Sequence, residues 1–111
     1  MRQNIAMKYS DGKKVYLYSH WKGEEGDSQL KQDLKRAIAR NERWDDESYL
    51  ARIIISEVIK DDIYGETNYG IAPYEMQDEF PTIEVDLKAK TVDGERFADF
   101  ANDIKAEDIP F

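Results

Sequence analysis

The spacing of hydrophobic and polar positions changes along the chain, and each change marks an element. Residues 5–9 alternate loosely, and Val15-Tyr16-Leu17-Tyr18 is dense in residues that favour strands. Between them lies Ser10-Asp11-Gly12-Lys13, and Asp-Gly is a strong hairpin turn signal. An N-terminal β-hairpin is predicted. After a polar loop over 20–27, Leu30, Leu34, Ala37 and Ile38 make one stripe of an amphipathic helix that Asp27 or Ser28 can cap. Residues 41–44 break that pattern. Asp45 or Asp46 then caps a second helix over 46–60, with Glu47 favourable in its first turn. This helix is apolar nearly all round: Tyr49, Leu50, Ala51, Ile53, Ile54, Ile55, Val58 and Ile59. It is expected to be central and covered on two sides. The run Ile53-Ile54-Ile55 also suits a buried strand, but length and capping favour helix.

The second half reads more simply. Residues 65–70 form a loop, and Gly70-Ile71-Ala72 begins a short strand before Pro73. Residues 82–87 alternate cleanly, with Ile83, Val85 and Leu87 inward and Thr82, Glu84 and Asp86 outward. Asp93-Gly94 is a second turn signal, and Phe97, Phe100 and Ala101 predict a short C-terminal helix over 95–102. Residues 104–111 are expected to be extended or frayed. The predicted fold is α+β over 1–111 as a single domain. It has one antiparallel sheet with the helices on one face.

Composition narrows the function. The chain is 41% hydrophobic, too apolar for a disordered segment even at a net charge of -8. It has no cysteine, which excludes disulfides, thiolate nucleophiles and thiolate zinc sites. No signal peptide and no apolar run of the ~20 residues that a membrane helix needs are visible, so a cytoplasmic protein is expected. The acidic balance disfavours direct binding to nucleic acid or to an anionic membrane. The charge is also uneven. Residues 1–22 hold five bases and one acid, whereas residues 65–111 hold twelve acids and four bases.

Candidate chemistry is sparse. The one histidine, His20, follows Ser19, but neighbours on a strand point to opposite faces and make no nucleophile–base couple. No catalytic residue is assigned, and an enzyme is not expected. Glu24, Glu25 and Asp27 share a Gly-containing loop without the spacing of a calcium loop. Asp45-Asp46 and Asp61-Asp62 read as a helix cap and a solvated helix end, so no metal or cofactor is expected. Two binding sets stand out. Tyr18, His20, Trp21, Arg43, Arg52 and Tyr69 combine aromatic faces with cations suited to an anionic ligand such as a nucleotide. Arg52, inside the apolar helix, should need a carboxylate partner from Asp45, Asp46 or Glu66. The second set is Glu75, Asp78, Glu79, Glu84, Asp86, Asp93 and Glu95, carboxylates that suit the basic groove of a nucleic-acid-handling protein.

Three strings, Val15-Tyr16-Leu17-Tyr18-Ser19-His20-Trp21, Arg43-Trp44-Asp45-Asp46-Glu47-Ser48-Tyr49-Leu50-Ala51-Arg52-Ile53-Ile54 and Gly65-Glu66-Thr67-Asn68-Tyr69-Gly70-Ile71, resemble a family of small phage and prophage proteins. The resemblance runs from about residue 13 to residue 101 and brings no catalytic residue with it. It implies an accessory protein of a phage or mobile element. Such proteins are often inhibitors of host systems, anti-CRISPR and other anti-defence proteins among them. The leading expectation is therefore a binder that inhibits a host nucleic-acid-handling or defence protein through its carboxylates. The alternative is a nucleotide-sequestering protein. The all-round apolar helix is also compatible with a homodimer.

Overall fold

The computed structural model describes residues 1–109. Six strands form one sheet in the order β3-β2-β1-β4-β5-β6. β1 (Gln3–Lys8) and β2 (Lys14–Ser19) are the expected hairpin, paired from Gln3↔Ser19 to Lys8↔Lys14 around a turn that holds Gly12. The chain then builds α1 (Gln29–Ala39) and α2 (Glu47–Ile59), returns as β3 (Tyr69–Ala72) beside β2, and crosses to β4 (Ile83–Asp86) on the far side of β1. β5 (Thr91–Val92) and β6 (Glu95–Arg96) are a two-residue hairpin. Asp93 and Gly94 both adopt positive φ there, as a type I′ turn demands. A single turn, α3 (Phe97–Phe100), follows, shorter than the helix expected over 95–102. Beyond it Ala106–Asp108 makes one 3-10 turn where extended or frayed chain was expected, and residues 110 and 111 of that prediction lie outside the described residues.

The α+β plan follows the pattern, with one pairing different in kind. β4 runs parallel to β1, in register Ile5↔Ile83 through Lys8↔Asp86, so the sheet is mixed rather than wholly antiparallel. The reason is the route. A chain that crosses the sheet between β3 and β4 enters β4 from the end at which β1 also begins. Ile5, Met7, Leu17, Ile83, Val85 and Val92 pack against Leu30, Leu34, Ile38, Leu50, Ile54, Val58 and Phe97 to form the core. The helices therefore cover one face of the sheet, and β4 keeps its inward set of Ile83 and Val85, with Leu87 just beyond.

Ser28 caps α1 by accepting from the Lys31 N–H at 3.0 Å, and Asp46 caps α2 by accepting from Tyr49. The second helix is not covered on two sides. Leu50, Ala51, Ile54, Glu57 and Val58 form one buried stripe, while Ile53, Ile55 and Ile59 are half-buried and Tyr49 and Arg52 are exposed. Arg52 reaches water, and among the described residues no carboxylate pairs with it. The charge that the core must accommodate is Glu57.

The Glu57 side chain is fully buried and takes three cations: Arg40 at 2.9 Å, Arg36 at 3.5 Å and Lys60. Asp33 on α1, almost as buried, holds Arg36 and also Lys22 at 2.6 Å. Lys22 donates further to the Val58 carbonyl at 2.8 Å. Burial pushes the Glu57 carboxyl up in pKa. The hydrogen bond from Lys60 and the charges of Lys60, Arg40 and Arg36 outweigh that, so it lies below its ordinary value of 4.5.

Glu57→Gln keeps the volume and removes the charge. A loss of about 2–3 kcal/mol at neutral pH is expected, below the ~3–5 kcal/mol of a fully buried pair because the remaining cations are partly hydrated. A depressed folded pKa means that the carboxylate's contribution is complete above 4.5 and is lost as pH falls through the lower folded value. Denaturant unfolding at about pH 7 and about pH 3 checks both points, the variant showing the weaker acid dependence.

Candidate open-face binding site

The sheet face away from the helices is built from alternate residues of β2, β1 and β4. Register places Ala72, Tyr16, Ala6 and Glu84 in one row, and Gly70, Tyr18 and Asn4 in the next. Lys14, Lys8 and Asp86 form a third. Period-two alternation sends these side chains to the side opposite Ile5, Leu17 and Val85. The small residues Ala6, Gly70 and Ala72 leave room for Tyr16 and Tyr18, both half-buried, to lie against the sheet.

Residues 73–82 cross this face as a strap, and Asn4 anchors it. Asn4 is fully buried. Its amide donates to the Met76 carbonyl at 2.8 Å and to Asp78 at 2.7 Å, and its carbonyl accepts from the Met76 N–H. Gly70 lies beneath the Met76 sulfur, which a Cβ there would approach to 3.4 Å. Glu79 completes the attachment by exchanging hydrogen bonds with the Arg2 backbone. The strap brings Glu75 and Asp78 to Thr82, whose hydroxyl donates to both. Glu84 sits 2.9 Å from Lys14. The hydrogen bond to Glu84 raises the Lys14 pKa, against a desolvation effect of opposite sign, with Tyr16 and Glu75 near enough to add to the rise.

The two predicted sets meet this geometry differently. Tyr18, His20 and Trp21 stay together: the Tyr18 hydroxyl lies 3.3 Å from His20 Nδ1, and the His20 and Trp21 rings meet edge to face at 5.7 Å. The Trp21 indole donates to Asn68. Tyr69 is close in sequence to Asn68 but turns to the helix side, where its hydroxyl donates to Asp61 at 2.8 Å and Lys22 lies over its ring. Arg43 stacks on Tyr49 at the joint between the helices, and Arg52 stands on the outer side of α2. The six residues therefore do not line one pocket.

The carboxylates are more coherent. Glu75, Asp78 and Glu84 gather at the open face. Asp86 closes the turn after β4 by accepting from the Lys88 and Ala89 N–H groups, and Asp93 ties the next turn to β4 by accepting from the Glu84 N–H, so both have structural duties as well as charge. Glu95 is exposed on β6. The sequence reading missed Asn4 and Tyr16, although Asn4, next to the apolar run Ile5-Ala6-Met7 of the hairpin, could have signalled a buried hydrogen-bonding duty. It also missed Asp33 and Glu57. Glu57 falls on the buried stripe three residues after Ile54, which was the available clue. No family model, curated protein or solved structure matches the chain.

Removing the anchor tests whether the strap depends on it. Asn4→Ala leaves Met76 and Asp78 without their buried partner, and a loss of about 1–3 kcal/mol is expected. Amide exchange at Met76 should speed by more than that at Leu34 in the core, a difference that hydrogen-exchange mass spectrometry or NMR reads directly.

Proposed function

We propose that this chain is a small acidic binding protein of the phage-accessory type. It occupies the basic, nucleic-acid-binding surface of a host protein and so inhibits it. The observation that carries the reading is a run of acids with no basic residue among them, in which, among the described residues, only Glu84 and Asp61 are paired from outside, by Lys14 and Lys22. From Asp61 through Leu87 there are eight carboxylates and no Lys or Arg. That run supplies β3, the strap and β4. A rigid sheet that presents carboxylates at fixed spacing offers a basic groove what a phosphate backbone offers it. Tyr16 and Tyr18 add aromatic surface with polar tips, the kind of surface common at the centres of interfaces. The dispersal of Arg43 and Arg52 away from Tyr18 and His20 gives the nucleotide-binding alternative no comparable support.

Affinity capture from bacterial lysate, followed by titration of each captured protein, tests the proposal. The captured proteins should carry basic nucleic-acid-binding surfaces and be displaced by duplex DNA. Their affinity should fall at least ~10-fold between about 0.05 M and about 0.5 M salt. A variant with Glu75→Gln, Glu84→Gln and Glu95→Gln, none of which accepts a backbone hydrogen bond through its side chain, should lose a similar factor with only a small change in melting temperature, the loss of the Glu84–Lys14 pair costing up to about 1 kcal/mol. Affinity that is indifferent to salt or to this variant would sink the proposal.

A further inference from the structure

Of the seven tyrosines, Tyr64 is the most exposed, at 95%, and its hydroxyl meets no partner among the described residues. It stands in the loop between the 3-10 turn Lys60–Asp62 and β3. Of the backbone amides of residues 64–67, only that of Gly65 is bonded among the described residues, to the Asp62 carbonyl at 3.1 Å. The Asp62 side chain accepts from the Asn68 amide and lies so close to Gly65 that a Cβ there would collide with its carboxyl group. Asp62 thus folds the loop back beneath Tyr64 and leaves the ring in water. No residue from 63 to 67 belongs to the core.

Two other tyrosines are more than half exposed, Tyr74 at 65% and Tyr49 at 57%. An enzyme that modifies a phenol in its own cleft must draw the flanking backbone out of the fold, so what holds that backbone decides between the three. Tyr49 is in the first turn of α2, with its N–H on the Asp46 cap and its ring under Arg43. Tyr74 opens the strap that Asn4 grips through Met76 and Asp78. Extending residues 62–66 breaks the Gly65–Asp62 and Asn68–Asp62 bonds and uncovers no core residue. Tyr64 is therefore the phenol that the native fold presents.

Its flanks specify the enzyme. Asp61, Asp62 and Glu66 lie within three residues of Tyr64, Ile63 precedes it at 61% exposure, and no Lys or Arg follows before Lys88. Asp61 is engaged by the Tyr69 hydroxyl and by Lys22 at 3.4 Å. Glu66 is exposed, and the extension that presents Tyr64 also releases Asp62. A groove that accepts the segment thus meets an acid on each side of the ring, and is basic.

We infer that Tyr64 is a phosphorylation site, taken by a tyrosine kinase with a basic peptide groove. The Tyr64 Oη attacks the γ-phosphorus of ATP and the bond from that phosphorus to the β–γ bridging oxygen breaks. ADP leaves, and the phenolic proton passes to the catalytic Asp of the kinase. The product carries about -1.5 to -2 more charge at pH 7, which takes the chain from -8 to at most about -10. The nearest base in sequence, Lys60, is held by Glu57. The phosphate therefore meets repulsion from Asp62 and Glu66 and loosens the loop. Tyr64 is outside the open-face set, and its modification does not depend on what that face binds.

The full chain, Mg-ATP and a tyrosine kinase that selects acid-flanked tyrosines make the test, with intact mass and fragmentation as the readout. One phosphoryl group is expected, on Tyr64. Tyr64→Phe should take up none, whereas Tyr49→Phe and Tyr74→Phe should react within ~2-fold of the parent rate. Asp62→Asn with Glu66→Gln should slow transfer at least ~10-fold. Glu66→Gln alone, at an exposed position, should slow it about 3-fold and excludes a folding defect as the cause. Phosphorylation should speed amide exchange at Gly65 and leave that at Leu34 unchanged. No transfer to the native chain, transfer to Tyr49 or Tyr74 as fast as to Tyr64, or an acid double variant that reacts at the parent rate would overturn the inference.

Discussion

Two buried carboxylates hold the helical layer to itself and to the sheet. Asp33 and Glu57 sit almost without exposure between α1 and α2, and four cations reach them from α1, from the end of α2 and from the loop after β2. Burying a carboxylate is costly, and the arrangement is stable only because each oxygen meets a donor. That requirement sets the geometry. Arg36 must lie between the two acids, which fixes how α1 is rotated against α2. Lys22 must reach Asp33 and the Val58 carbonyl together, which draws the end of β2 under both helices. Apolar packing alone would tolerate a slide of one helix along the other; directional ion pairs do not.

With the helices fixed on one face, the reverse face is left to the strap and the tyrosines. The parallel placement of β4 beside β1 makes this possible. It sends the chain from β3 across the sheet, and the crossing carries Glu75, Asp78 and Glu79 over Asn4 and Arg2. The acids are thus distributed by topology. Some close turns, some face a hydroxyl or a lysine, and the rest stand in water. A carboxylate that accepts a local N–H keeps its charge while losing conformational freedom, so it can meet a partner at lower entropic cost.

What could be read from the sequence was local. The hairpin, both helix caps, the inward set of β4 and the turn at Asp93-Gly94 depend on neighbours within a few residues, and each is where the pattern placed it. The misreadings required tertiary knowledge. Three consecutive isoleucines made α2 look apolar all round, so Arg52 seemed to be the trapped charge. The stripe that includes Leu50, Ile54 and Val58 includes Glu57 and leaves Arg52 outside. The parallel pairing joins residues far apart in the chain, and no short-range signal specifies it. The aromatic and arginine set was legible as residue types, yet sheet alternation and the helical layer send its members to different sides. Tyr18 and His20 remain together because they are two positions apart on one strand end.

The position of β1 bears on how the chain acquires its structure. β1 is central, yet its second neighbour, β4, is made only after residue 83 has been added. Without that segment β1 has one edge unpaired, and Ile83, Val85 and Phe97 are missing from the core. Pairing so distant in sequence carries a loop-closure cost before it returns any contact, which slows folding and keeps an adhesive edge open meanwhile. The N-terminal half therefore cannot complete its core without the C-terminal half. The charge that the late segment brings arrives together with the strand that closes the sheet.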